Sequence, residues 1–181
     1  AKEVVGINEI ALKTPRSRKK PSGISQLFCQ AMSGETNADV AFHDIPVRKA
    51  ELRKGRITGY DIFRLMPYQN TVCTLQLNRK QIAGIIKEQY HPAGRTRRFL
   101  YFTGMTVKLT RDGYLLGSPL LHDGSELRGD RKIKVAFSSY ALSGAGGSWP
   151  YLRSLSENAQ CGYSDTNIQI RKILENYIED D

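Results

Sequence analysis

The sequence predicts an α+β fold, with a mainly antiparallel mixed sheet and helices packed in layers. Segments with an apolar period of two interleave along the chain with segments whose period is near 3.6. Several strand pairs are separated by short turn signals, which join antiparallel neighbours. With 40% hydrophobic and 25% charged residues over 181 positions, the chain is long enough to bury one core, and neither repeats nor linkers interrupt it. One domain spanning residues 1–181 is the expectation.

Val4-Val5-Gly6-Ile7 through Leu12 predicts a first strand. Ser22 then precedes Ile24, Leu27, Phe28 and Met32, which share one face of a helix. Asp39 to Phe42 reads as a second strand, and Thr58 to Leu65 as a short helix that Pro67 stops. Thr71 to Leu77 is a strand by alternation and β-branched content. Asn78 and Gln81 have the spacing of an N-cap and its third-position partner, with Ile82, Ile85, Ile86 and Tyr90 along the apolar face that follows. Phe99 to Phe102 and Met105 to Thr110 read as extended, with Arg111-Asp112-Gly113 as a turn. Lys132 to Phe137 alternates charged and apolar residues and runs into Ser138-Ser139-Tyr140 and a glycine loop, Gly144 to Gly147. A last helix, capped near Asp165, carries Ile170, Ile173, Leu174, Tyr177 and Ile178 on one face.

Composition also excludes function classes. No apolar run approaches the roughly 20 residues of a spanning helix. Cys29, Cys73 and Cys161 lack the close spacing of a zinc site and read as small buried apolar residues. The histidines are His43, His91 and His122, and neither metalloprotease nor phosphate-loop strings occur. His43-Asp44 and His122-Asp123 are the candidate pairs, and each reads as a solvated turn. No metal or cofactor is expected in this chain. Ala1-Lys2-Glu3 carries no signal-peptide core, which fits a cytoplasmic, processed or fragmentary chain.

The net charge of +9, from 27 Lys and Arg against 18 Asp and Glu, is clustered. One cluster is Arg16, Arg18, Lys19 and Lys20. A second is Arg48, Lys49, Arg53, Lys54 and Arg56. The third, Arg95, Arg97 and Arg98, follows an exposed-turn sequence, His91-Pro92-Ala93-Gly94. Arg48 stands out because it follows an apolar strand, where ligands often dock.

Three segments could converge on a ligand: His43-Asp44-Ile45-Pro46-Val47-Arg48, Met66-Pro67-Tyr68-Gln69-Asn70, and Tyr140 with the glycine loop and Trp149. Two tyrosines on loops can sandwich a flat ring, Asn70 can read its polar edge, and Arg48 can hold an anion through its planar fork. Half-buried core aromatics and an ordinary turn would use the same residues, and the residues alone leave both explanations open.

The order of segments resembles the C-terminal domain of the 5'-nucleotidase/UDP-sugar hydrolase family. The matching stretches are Val47-Arg48 with Gly55-Arg56-Ile57-Thr58, Leu65 to Asn70, and Ser139-Tyr140 with Gly146-Gly147-Ser148. The resemblance implies a domain that binds and selects a nucleotide or nucleoside and is not catalytic alone. It implies that Tyr68 and Tyr140 clamp the base, with Asn70, Arg48, His43, Gly146, Gly147, Ser148 and a basic residue, Lys20 or Arg18, around the substrate. Its partner would be a metallophosphatase domain, in cis or in trans, and the pair of divalent metal ions would belong to that domain. Relatives of this type are exported, which implies a periplasmic or cell-surface location, with a cytoplasmic one as the alternative.

Departures from the family pattern touch the same residues. His43-Asp44-Ile45-Pro46 replaces an Asn-Gly-Gly-Gly run, Ser148 falls near an aspartate position, and Ala145 is an extra residue in the glycine loop. Tyrosine stands for phenylalanine in both clamps, keeping the stacking face and adding a hydroxyl. Two other functions fit the charge and the altered loop: a basic nucleic-acid-binding module, and a degenerate scaffold for a partner metallophosphatase.

Overall fold

A computed structural model describes residues 3–14, 20–45, 49–90 and 99–180. The strands are β1 (Val4–Asn8), β2 (Leu12–Lys13), β3 (Val40–His43), β4 (Glu51–Leu52), β5 (Gly55–Thr58), β6 (Thr71–Leu77), β7 (Tyr101–Thr103), β8 (Met105–Leu109), β9 (Leu115–Leu121), β10 (Ile133–Ser138) and β11 (Ser164–Gln169). The helices are α1 (Gly23–Thr36), α2 (Gly59–Leu65), α3 (Arg79–Gln89), α4 (Ser139–Leu142), α5 (Pro150–Glu157) and α6 (Ile170–Glu179).

The central sheet has the order β11-β6-β10-β3-β7. Among the described residues only its β10–β3 pair is parallel, so the α+β expectation of a mainly antiparallel mixed sheet is borne out. Strand alternation divides the core in two. Phe42, Leu75, Val135 and Phe137 face one cluster, with Ile82, Ile85 and Ile86 of α3 and Leu152 of α5. Ala41, Val72 and Ala136 face the other, with Phe28 and Met32 of α1, Ile62 of α2, and Ile173 and Leu174 of α6. Small alanines at the middle of the second face leave room for Phe28, while the larger first face stacks Phe42 on Phe137 at 5.4 Å.

Local capping sets three helix starts. Ser22 with Ser25, Thr58 with Asp61, and Asn78 with Gln81 each form a reciprocal capping box. Pairing breaks the expected first strand into two: β1 pairs with β5, and β2 with β4.

The end of the chain differs more. The last helix starts at Ile170, not near Asp165, because Ser164 to Gln169 is drawn into an edge strand on β6. Asp165 instead accepts the Thr71 hydroxyl at 3.1 Å and the Asn167 N–H at 2.8 Å. Asn167, at φ 58, sits where the register of that pair slips. Helix α5 was not expected from the sequence. It has Pro150 in its first turn, and its free N-terminal N–H groups, those of Tyr151 and Leu152, donate to Glu88 at 2.7 and 3.2 Å.

Candidate nucleotide site at one end of the sheet

The register brings the described parts of the three predicted segments, His43 to Ile45 of the first among them, to one end of the sheet. β6 starts where antiparallel β10 ends, with Val72 opposite Ser138. β3 runs parallel to β10, so His43 and Asp44 leave the sheet at that end too. The turn carrying Tyr68 and Asn70 therefore enters beside the segment that carries Tyr140 out. A direct bond ties them: the Thr71 N–H donates to the Ser139 hydroxyl at 3.0 Å. The Ile170 N–H donates to the Asn70 carbonyl at 2.9 Å, which also brings the start of α6 to this end.

The two tyrosines are held differently. Buried Met66 and half-buried Pro67 end α2 and anchor the turn, leaving the Tyr68 side chain 49% exposed. Asn70 is half-buried. Tyr140 lies in the first turn of α4, partly buried against the first core cluster. Its carbonyl accepts the Ser143 hydroxyl at 2.7 Å.

The glycine loop folds back on Tyr140: a Cβ placed on Gly146 would lie 3.8 Å from the Tyr140 hydroxyl. Gly144, Ala145, Gly146 and Gly147 all have positive φ, at 92, 48, 67 and 90°. Side chains at such positions are strained, which accounts for three glycines in four residues. Gly146 and Gly147 are exposed and Ser148 is half-buried. Trp149 does not face a ligand but is buried, and its N–H closes the loop on the Gly144 carbonyl at 3.0 Å.

Two expectations need correction. His43 is 1% exposed, its ring stacked on Phe28 of α1 at 4.5 Å and 16°. The ring is therefore packed in the core, where the expectation set it against the substrate, and burial lowers its pKa. Asp44 beside it is buried as well, so this pair is not a solvated turn. His122-Asp123 is one: both are exposed, and Asp123 accepts the Ser125 N–H and hydroxyl at 2.8 and 2.6 Å.

Lys20 is exposed. Arg48, Arg18, Arg16 and Lys19 fall outside the described residues, as does the third basic cluster. All three cysteines are buried, and burial pushes the Cys29 thiol up to about 12. Among the described residues no group of three or more His, Cys, Asp or Glu could hold a metal ion, and no helix is long and apolar enough to cross a membrane.

Sequence reasoning missed Ser139 as the tie between the two loops. The signal was present in the Ser-Ser-Tyr run ending a strand, but its partner, the Thr71 amide, is 68 residues away. A hollow of about 510 Å³ between α4 and α5 was also missed along with α5. Its polar groups are already engaged: Arg153 pairs with Glu157 at 2.9 Å, and the Ser156 hydroxyl donates to the Leu142 carbonyl at 3.0 Å.

Residues 4–154 match the family described as 5'-nucleotidase, C-terminal domain. The chain belongs to that family. Its fold is similar to the 5'-nucleotidase precursor from Thermus thermophilus, with a TM-score of 0.79 at 18% identity, over 98% of this chain and 36% of that one. It is similar to the NAD nucleotidase NadN of Haemophilus influenzae, with a TM-score of 0.78 at 17% identity, over 99% of this chain and 36% of that one. Endonuclease YhcR of Bacillus subtilis (strain 168) is 20% identical over 171 residues, which are 94% of this chain and 14% of that protein. This 5'-nucleotidase C-terminal domain thus spans about a third of those solved structures and a smaller part of the curated relative.

Proposed function

We propose that this chain is the nucleotide-binding and specificity domain of a 5'-nucleotidase-like phosphohydrolase. The observation that carries the proposal is the meeting of the Tyr68–Asn70 turn and the Tyr140 loop on neighbouring strand ends, tied by the Thr71–Ser139 bond. Tyr68 and Tyr140 offer ring faces to a base, and Asn70 offers an amide to its edge. Arg48, Lys20 and the exposed Gly146-Gly147-Ser148 loop would serve the ribose and phosphate. Belonging to this family supports the assignment, and the similar proteins named above are called nucleotidases and an endonuclease.

Phosphoester chemistry and its metal ions would belong to a separate metallophosphatase domain, the other part of the 5'-nucleotidases of this family. A periplasmic or cell-surface location belongs to the same proposal. Isothermal titration of AMP, adenosine and UDP-glucose into the 181-residue chain tests it. Binding that Tyr68→Ala weakens by about 5- to 150-fold, the range of one lost stacking contact, is expected. Absence of binding to the unaltered chain, or indifference to Tyr68→Ala, would overturn it.

A further inference from the structure

Beside the clamp turn lies a surface that the mononucleotide reading leaves unused. α2 presents Tyr60 and Phe63 to solvent, 55% and 45% exposed, with their rings stacked at 6.5 Å and 19°. The guanidinium of Arg171 lies over the Phe63 ring at 5.2 Å. Arg171 directly follows Ile170, whose N–H binds the Asn70 carbonyl. A line therefore runs from Tyr68 and Asn70, through Arg171 and Phe63, to Tyr60.

Cations border this line. Arg64 is exposed on α2, and Arg53 is exposed on the β4–β5 turn. Arg53 and Arg64 both lie close enough to Asp61 to stabilise its carboxylate. Of the acids there, Asp61 is held in its capping box with Thr58, and Glu175 pairs with Lys172 at 3.7 Å. Exposed stacked rings with arginines between and around them form the kind of platform that binds single-stranded nucleic acid, where bases stack and cations follow the backbone. An aliphatic face would suit a protein partner better. Adjacency of α2 to the turn that carries the proposed base clamp points to a chain of nucleotides.

We propose that the Tyr60–Phe63–Arg171 face is a track for single-stranded oligonucleotide leading into the clamp, so that the domain accepts the end of a strand as well as a free nucleotide. The track rests partly on the clamp reading, and the test separates the two.

Fluorescence anisotropy with a labelled dodecameric oligothymidylate, alongside titration calorimetry with dTMP, uses the whole chain. The dodecamer is expected to bind at least about tenfold more tightly than dTMP at low salt. Tyr60→Ala with Phe63→Ala should weaken the dodecamer by about 5- to 150-fold and leave dTMP unchanged. Both rings are surface residues, so circular dichroism should show an intact fold. Arg171→Gln should reduce the slope of log affinity against log salt by about 0.7. Equal binding of dodecamer and dTMP, or unaltered dodecamer binding in these variants, would overturn the track while leaving the clamp standing. Tight dodecamer binding lost in the variants, with no dTMP binding, would keep the track and remove the clamp. A polyglutamate peptide that competes on equal terms and is lost in the same variants would overturn it in favour of an acidic protein partner.

Discussion

Ser139→Ala isolates the link between the two halves of the candidate site. The Ser139 hydroxyl accepts the partly buried Thr71 N–H at 3.0 Å, and Ser139 stands next to Tyr140 while Thr71 stands next to Asn70. Removing the hydroxyl leaves that amide without its partner, at a cost of about 1–2 kcal/mol. For a chain of this length each kcal/mol lowers the melting temperature by about 2–4 °C, so a fall of about 2–8 °C is expected. Loosening the two loops should also weaken AMP by up to about tenfold, or ~1.4 kcal/mol. Ser139→Thr restores a hydroxyl and should recover most of both effects. Thermal melts followed by circular dichroism, with calorimetric titration of AMP, give the two readouts. A Ser139→Ala variant that melts like the unaltered chain would refute the energetic reasoning. One that melts lower yet binds AMP equally well would refute the positional role of the bond.

Three further substitutions test the fold that carries the site. At Gly104, φ is +96° and an added Cβ would fall 2.0 Å from the Asp39 carbonyl oxygen, a backbone atom, so Gly104→Ala should cost about 3–5 kcal/mol; a melting temperature within about 2 °C of the parent would contradict this. The Thr58 hydroxyl, with burial opposing it, holds the Asp61 carboxyl below its usual 3.8, so its stabilisation is present above that value and lost as pH falls through the lower folded one. The parent should therefore be more stable than Asp61→Asn near neutral pH, with the gap closing in acid, as read by urea titrations over a pH series. Burial raises Glu88 above its usual 4.5 despite its bonds to Tyr151 and Leu152, which reverses the sign. The parent should gain stability relative to Glu88→Gln as pH falls through the raised folded value toward 4.5, and a parent that loses stability relative to the variant over that range would refute the assignment.

The elements that could be read from sequence are those whose pattern is local. α1, β6, α3 and β10 each combine a clear apolar period with a cap or a β-branched run, and both core clusters draw on them. β11 could not be read because Ser-Asp-Thr-Asn-Ile-Gln has no alternation; pairing with β6 makes it a strand. α5 is only eight residues long and takes its N-terminal hydrogen-bond acceptors from Glu88 on α3, more than 60 positions upstream.

The same division holds at the site. Pro67-Tyr68 and Tyr140 with its glycines are short motifs, legible in the chain itself. Their meeting depends on β6–β10 register, and the fate of His43 depends on Phe28 of α1, neither of which a local string contains. Tyr60 and Phe63 are spaced i, i+3 on α2 and are not singled out from the sequence; they gain meaning only with Arg171 beside them.

A crystal structure of the chain with AMP would show whether the two rings hold a base between them. The adenine ring should lie between the side chains of Tyr68 and Tyr140, with the Asn70 amide at its edge. A nucleotide bound elsewhere on the surface, with those two rings unoccupied, would contradict the account.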